Sequence, residues 1–165
     1  VAEIISYCYP DRIFPRDAMV FSTINKYGKG TIAASYASMG DSYLESHTYV
    51  MRNEFKKIMS RVFPNPIVEV TAPPVVDVSL RQKDGKLQVH LLNISGMQVA
   101  PTYSVIDYIA PVHNIKLKIQ MDKEPKNIEW AYGGKIISKN YENGILHIEL
   151  DVLKIHDVLV IDNMD

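Results

Sequence analysis

The hydrophobic period of the sequence changes near residue 65, and this change limits the possible folds more than any other feature. Before the Phe63-Pro64-Asn65-Pro66 segment, apolar residues recur at helical spacing, whereas after it they alternate with polar residues. A period of 3.6 predicts an amphipathic helix, and a period of two predicts strands with one buried face. We therefore expect two units, residues 1–66 and 67–165, that differ in secondary structure.

A single long amphipathic helix is predicted from Asp41 to Val62. Ser42 and Glu45 fit a capping box at its start, and Pro64 follows its end. The residues of its apolar stripe are Leu44, Thr48, Met51, Phe55, Ile58, Met59 and Val62. We expect this stripe to cover the open face of the strands that precede it.

Two strands joined by a tight turn are predicted upstream of the helix, over Met19–Asn25 and Thr31–Tyr36, with one more short strand around Ile4. This order of strand, turn, strand and helix is typical of the tail of an α/β domain. The expected fold class of the whole chain is therefore α+β, with a short α/β fragment at the front.

The second unit shows seven or eight short strands and no helical period. Asp84-Gly85 and Asn143-Gly144 are expected to form hairpin turns between alternating segments. The weaker strand candidates are Tyr103–Tyr108, Asn127–Tyr132, Lys135–Lys139 and His156–Asp162. Many short strands separated by turn residues predict a β-sandwich or a small barrel, and we prefer an antiparallel, immunoglobulin-like β-sandwich.

Charge and composition exclude several classes of function. The chain has 18 basic and 19 acidic residues, a net charge of -1, and no basic stripe of the kind that nucleic-acid binding requires. Its longest apolar runs are too short to cross a bilayer. Cys8 is the single cysteine, so no intramolecular disulfide is expected, and the cysteine content does not indicate whether the protein works in an oxidising or a reducing compartment. The start at Val1, without an initiator Met, suggests an excised or processed piece.

Two stretches of the sequence resemble parts of a known enzyme family. Lys26-Tyr27-Gly28-Lys29-Gly30-Thr31-Ile32-Ala33, followed by Gly40-Asp41-Ser42-Tyr43-Leu44, resembles the tail of a glutamine-amidotransferase-like domain of the β-galactosidase trimerisation type. The segments 77–96 and 153–160 are similar to the β-sandwich that ends such bacterial glycoside hydrolases. The resemblance touches most of the chain.

This resemblance implies a non-catalytic C-terminal accessory region of a galactosidase- or fucosidase-like glycoside hydrolase. Its implied partner is the catalytic barrel of the parent chain, with carbohydrate and a second copy of the chain as further candidates. A periplasmic or extracellular location follows if the parent is a secreted bacterial enzyme. The catalytic carboxylates of that family lie in a barrel of roughly 250 residues, which cannot fit in this chain.

No catalytic residue is expected within the chain itself. Glycoside hydrolysis needs two carboxyl groups that flank a sugar pocket. The nearest candidates are Glu149 with Asp151, or Asp77 with another partner, and all three occupy polar positions of alternating strands. A solvent-facing side chain is the ordinary role of such a position.

Trp130 and Tyr132 are the candidate carbohydrate-binding residues. They share one side of a predicted strand, so their rings could together stack on sugar C–H groups. Ile128 belongs to the same alternation, however, and Trp130 is the only tryptophan available to a sandwich core. Core placement of Trp130 is the interpretation that we prefer.

The five histidines, His47, His90, His113, His147 and His156, form no pair with the spacing of metal ligands. We therefore expect no metal site and no cofactor. His90 and His147 would meet in space if their strands were neighbours, but ordinary surface histidines are the interpretation that we prefer. Asn93-Ile94-Ser95 matches a glycosylation acceptor, although such three-residue matches often arise by chance.

Overall fold

The computed structural model describes residues 2–9, 17–46, 48–96 and 108–162. The chain divides into two compact units, Val1–Asn65 and Pro66–Asp165. Within the described residues there are eleven strands and two helices.

The first unit begins with a three-stranded antiparallel sheet. Its strands are β1 (Glu3–Cys8), β2 (Met19–Tyr27) and β3 (Gly30–Ser35), in the order β1-β2-β3. The β2–β3 hairpin closes through Gly28-Lys29, where Gly28 has a φ of 57°. Glycine at the first of two turn residues is what a type II′ hairpin turn requires.

Two helices follow the sheet, so the predicted single helix from Asp41 to Val62 is wrong. They are α1 (Met39–Ser46) and α2 (Tyr49–Val62), and Thr48 lies between them in an extended conformation (φ -71°, ψ 141°). The first helix also starts earlier than the predicted capping box. The Ser42 amide donates to the Ser38 carbonyl, and the Ser38 hydroxyl donates to the Asp41 carboxylate, so Ser38 is the residue that precedes the first turn.

The expected α+β class with an α/β fragment is also wrong, because the chain is mostly antiparallel sheet. An α/β unit needs parallel strands joined by a crossover of a dozen or more residues. The two-residue turn at Gly28-Lys29 instead forces β2 and β3 to run antiparallel. The helices come after the sheet and connect none of its strands.

The second unit contains eight strands in two four-stranded antiparallel sheets. One sheet has the order β4-β7-β10-β9 and the other has the order β5-β6-β11-β8. The strands are β4 (Val68–Thr71), β5 (Val76–Lys83), β6 (Lys86–Asn93), β7 (Val112–Gln120), β8 (Ile128–Trp130), β9 (Ile136–Glu142), β10 (Ile145–Leu153) and β11 (His156–Asp162).

The core of this unit lies between the two sheets, which confirms the predicted β-sandwich. Alternate residues of the four central strands point inward and are almost completely buried. They are Leu87, Val89 and Leu91 of β6, Ile115, Leu117 and Ile119 of β7, Leu146, Ile148 and Leu150 of β10, and Leu159 and Ile161 of β11. Burial of such side chains stabilises the fold by about 1.5–3 kcal/mol each.

The strand order is not that of an immunoglobulin domain, so that part of the prediction is wrong. Immunoglobulin sandwiches place their second and third strands in opposite sheets. Here β5 and β6 pair in one sheet, because Asp84 (φ 51°) and Gly85 (φ 69°) close a two-residue hairpin turn. Residues 103–107 of the predicted Tyr103–Tyr108 strand lie outside the described residues, and β4 was not predicted.

Candidate functional site

The two candidate sugar-binding residues lie in different environments. Trp130 stands opposite Leu159 on the inner side of β8, packs in the sandwich core and is 7% exposed. Tyr132 follows the end of β8 and is 72% exposed. The two rings therefore do not share an exposed face. Carbohydrate binding by this pair stays a prediction, and Tyr132 is the member that a ligand can reach.

A buried carboxylate holds the segment that carries Tyr132. Asp157, at the start of β11, is 5% exposed and accepts hydrogen bonds from the Tyr132 amide (3.0 Å) and the Val158 amide (2.7 Å). The next residue, Gly133, has a φ of 88°, which a residue with a side chain rarely adopts. Tyr132 is thus presented to solvent from a fixed backbone.

Tyr132 belongs to a cluster of three rings with His90 of β6 and His156 of β11. The nitrogens His90 Nδ1 and His156 Nε2 are 3.3 Å apart, and the two imidazoles stack with centroids 5.5 Å apart at 21°. The Tyr132 ring lies 6.0 Å from His156 at 46°. Strand β6 pairs with β11 so that His90 lies opposite Val158 and Leu92 lies opposite His156. His90 and His156 are therefore diagonal neighbours on one face of the sheet.

His90 and His147 are not neighbours. His147 lies on β10, opposite Lys118 and Asn140, in the other sheet of the sandwich. Alternation along each strand predicted that both histidines face outward, but it gives no information about which strands become neighbours. The true partner of His90 is 66 residues away in the chain.

The electrostatic environment of His90 favours its neutral form. Partial burial lowers the pKa of His90 below its ordinary value, and the nearby charges of His156 and Arg81 lower it further. Its Nε2 atom is buried without a hydrogen-bond partner among the described residues. On β5, Ser79 lies directly opposite His90. Arg81 is two residues further along the same strand, so the Arg81 side chain lies on the same outer face of the sheet as His90.

The candidate acids lie on strands of both sheets of the sandwich. Glu149 of β10 makes an ion pair with Lys116 of β7 at 3.7 Å, on the outer face of the sheet. Asp77 lies opposite Leu92 on β5, in the other sheet, and Asp151 is exposed. In the parts of the chain that the structure describes, no three or more His, Cys, Asp or Glu side chains group as a metal site.

The first unit contains a cavity of about 440 Å³ that the sequence did not reveal. Its lining residues are Glu3, Ile24, Asn25, Lys26, Thr31 and Arg61. Arg61, in the last turn of α2, donates to Glu3 of β1 at 2.7 Å. This hydrogen bond and the accompanying charge attraction lower the pKa of Glu3 and raise the pKa of Arg61. Both side chains are largely exposed, so the ion pair itself adds little stability.

One face of the sheet in the first unit is apolar and exposed. The register places Ile4 beside Thr23 and Ile32 beside Asn25, on the face that also carries Tyr27. The hydroxyl of Tyr36 lies 3.1 Å from that of Thr23, so the tyrosine joins this face. Ile4, Tyr27, Ile32 and Tyr36 are all exposed, and we call them the open face.

The Asn93 of the glycosylation motif is not on the surface. It is 3% exposed, and its Nδ2 atom donates to the carbonyls of Ala110 and Lys154, each at 2.8 Å. Its Oδ1 atom accepts from the amide (3.0 Å) and the hydroxyl (2.6 Å) of Ser95. Asn93 therefore fastens the end of β6 to two other segments, and its amide is not available to a glycosylating enzyme.

Both helices are too short and too polar to span a membrane, as far as the described residues extend. No protein-family model matches the sequence, and no curated protein matches it.

A solved structure with a similar fold is that of α-L-fucosidase isoenzyme 2 from Paenibacillus thiaminolyticus. The similarity has a TM-score of 0.72 at 14% sequence identity, and it covers 91% of this chain and 23% of the fucosidase. At this identity the likeness concerns the fold alone. The chain thus shares the fold of one part of a glycoside hydrolase and spans less than a quarter of that enzyme's length.

Proposed function

We propose that this chain is a non-catalytic accessory region of a glycoside hydrolase of the fucosidase or galactosidase kind, which packs beside the catalytic barrel. The observation that carries the proposal is the fold similarity to a fucosidase. Nearly all of this chain aligns with that enzyme, yet about three quarters of the enzyme lies outside the aligned part. The resemblance of segments 26–44 and 77–96 to the end of such enzymes supports the same proposal.

The surface chemistry of the sandwich supports a non-catalytic role. Retaining and inverting glycosidases hold two carboxyl groups about 5 to 9.5 Å apart across a sugar pocket. Glu149 is instead engaged with Lys116 on an outer strand surface, and Asp77 lies in the other sheet. The described cavity contains Glu3 as its only acid, and that carboxylate is bound to Arg61.

The open face of the first unit supports packing against another protein surface. Four large side chains on one sheet face, Ile4, Tyr27, Ile32 and Tyr36, are left in solvent. The buried apolar residues of the described part of this unit are Phe21, Ile24 and Met39, a small core for its length. Contiguous exposed apolar surface of this kind marks an interaction site. We assign it to the catalytic domain of the parent enzyme.

Hydrolysis assays test the non-catalytic part of the proposal. The purified chain is expected to release no nitrophenol from 4-nitrophenyl α-L-fucoside or β-galactoside above the buffer rate. Turnover that disappears in Glu149→Gln, but persists in the matched Glu69→Gln variant of another exposed ion pair, would contradict the proposal.

A substitution on the open face tests the packing part. In the parent protein, Ile32→Glu should weaken the association of this region with the catalytic domain, because a buried charge without a partner is strongly unfavourable. Limited proteolysis would then release the region faster than from the wild type. Ile137→Glu, at an exposed apolar position of β9 in the second unit, is the matched control. Equal release from both variants would place the interface elsewhere.

A second candidate function is carbohydrate binding through Tyr132, which is favoured by the fixed backbone and high exposure of that ring. Titration with soluble fucosides and galactosides, followed by NMR, should then shift the Tyr132 ring signals. Binding should be lost in Tyr132→Ala and kept in Tyr108→Ala, which removes another exposed tyrosine. A lack of saturable shifts would remove this candidate.

A further inference from the structure

The His90–His156 pair has a geometry that neither proposed function uses. Two imidazole nitrogens on adjacent strands face one another at 3.3 Å, beside a third ring, on the outer face of the β5-β6-β11-β8 sheet. We propose that His90 Nδ1 and His156 Nε2 together bind a divalent transition-metal ion, with zinc as the test ion.

The distance between the two nitrogens matches one edge of a tetrahedral zinc site. Zinc binds imidazole nitrogen at about 2.0–2.1 Å with tetrahedral angles. Two such ligands are therefore about 3.3–3.4 Å apart. The observed separation of 3.3 Å equals that edge, and a ring rotation that turns both lone pairs toward one point would complete the arrangement. The metal ion then takes the place of the proton that the two nitrogens share.

The pair is open to an ion on its solvent side. Imidazole binds a metal only in its neutral form, so a proton competes with the ion and binding should weaken as the pH falls. His156 is exposed, so an ion can approach from solvent.

The remaining surroundings predict a weak and exchangeable site. The described residues supply two protein ligands here, so water must fill the other positions. Arg81 lies close enough to influence the charge of His90 and therefore also repels a dication. Imidazole ligands suit copper, nickel and zinc, and copper(II) is expected to bind most tightly of the three.

Titration of the untagged chain with zinc chloride at pH 7.5 tests the proposal by calorimetry. One saturable site is expected. His90→Gln and His156→Gln should each weaken it by about tenfold or more, since even a lost supporting group can cost that factor. His147→Gln, on the opposite sheet, should leave it unchanged. Arg81→Gln should tighten it by a few-fold, because removing a nearby positive charge lowers the repulsion of the ion.

NMR of the wild-type imidazole nitrogens provides a measurement that does not depend on how the variants fold. Zinc should shift Nδ1 of His90 and Nε2 of His156, and should shift the nitrogens of His147 and His113 far less. The absence of saturable binding would overturn the proposal. So would binding that survives in both His90→Gln and His156→Gln, or zinc shifts centred on other histidines.

Discussion

Replacing Asn93 with alanine should destabilise the sandwich far more than an average polar substitution. The change removes two hydrogen bonds from Nδ2, to the Ala110 and Lys154 carbonyls, and the acceptor of the Ser95 amide. Three backbone groups lose a hydrogen bond in partly buried surroundings, and the Ala110 carbonyl keeps the Ser95 hydroxyl as a donor. At about 1 kcal/mol for each lost hydrogen bond, the typical net contribution of such a bond to stability, the expected loss is about 3 kcal/mol.

Urea unfolding monitored by tryptophan fluorescence measures this loss in the relevant unit, because Trp130 is the only tryptophan and lies in the sandwich core. The midpoint should fall while the slope stays constant, as for a change in stability alone. Asn140→Ala, on the exposed strand β9, is the matched control and should change stability by about 0.5 kcal/mol or less. A loss below about 1 kcal/mol for Asn93→Ala would refute the role assigned to these hydrogen bonds.

Asn93→Asp gives a further check with a distinct pH signature. The carboxylate keeps the acceptor for Ser95 but turns a negative oxygen toward two carbonyls, so its folded pKa should be raised above the ordinary aspartate value. Because the folded state then prefers the protonated form, this variant should gain stability relative to the wild type as the pH falls toward 4. The opposite trend would contradict the assigned orientation of the Asn93 amide.

Gly134→Ala should cost about 1–3 kcal/mol in the same urea assay, because its new Cβ would stand 2.7 Å from Trp130 Nε1. Gly40→Ala, in a helix of the first unit, meets no atom within 4 Å and should be neutral or stabilising when unfolding is followed by the helical circular dichroism signal. The pKa of His90 is lowered in the folded state, so the unfolded chain takes up the proton first as the pH falls. The contribution of neutral His90 to the free energy of unfolding is therefore complete above about pH 6.5 and declines below that pH. His90→Gln should flatten that decline in thermal scans between pH 7.5 and 5, and an unchanged slope would contradict the argument. Residues 66–165 produced alone should fold, with the blue-shifted fluorescence of a buried tryptophan, and should unfold cooperatively. Every residue of the sandwich core cluster lies within that range. A red-shifted fluorescence spectrum in buffer would contradict independent folding of this unit.

Local features of the fold followed from the sequence where chain geometry allows few alternatives. Asp84-Gly85 and Asn143-Gly144 were predicted as hairpin turns, and all four residues have the positive φ that such turns require. The alternation of Leu87, Val89 and Leu91 predicted an inward face, and these side chains are buried. Period and turn chemistry act over a few residues, so a single sequence displays them.

Features that depend on distant pairing were not predictable in this way. Alternation states which side chains point inward but not which strands lie side by side, and for this reason the contact of His90 with His156 was not predicted. The break at Thr48 was hidden because the apolar spacing continues through it. Asn93 looked like a glycosylation acceptor, and only the tertiary contacts with Ala110 and Lys154 show that its amide is used internally.

The edges of the three sheets differ in how well they resist adding a further strand. In the sandwich, the edge strands β4 and β8 have only four and three residues, and the longer edges β5 and β9 carry Arg, Lys, Glu and Asn side chains. Short or charged edges discourage pairing with another chain. Strand β3 is also an edge, and its sequence Gly-Thr-Ile-Ala-Ala-Ser has no charged residue. When the chain is produced alone, aggregation should therefore begin at β3, and a lysine at Ala33 or Ala34 is the substitution that should keep it soluble.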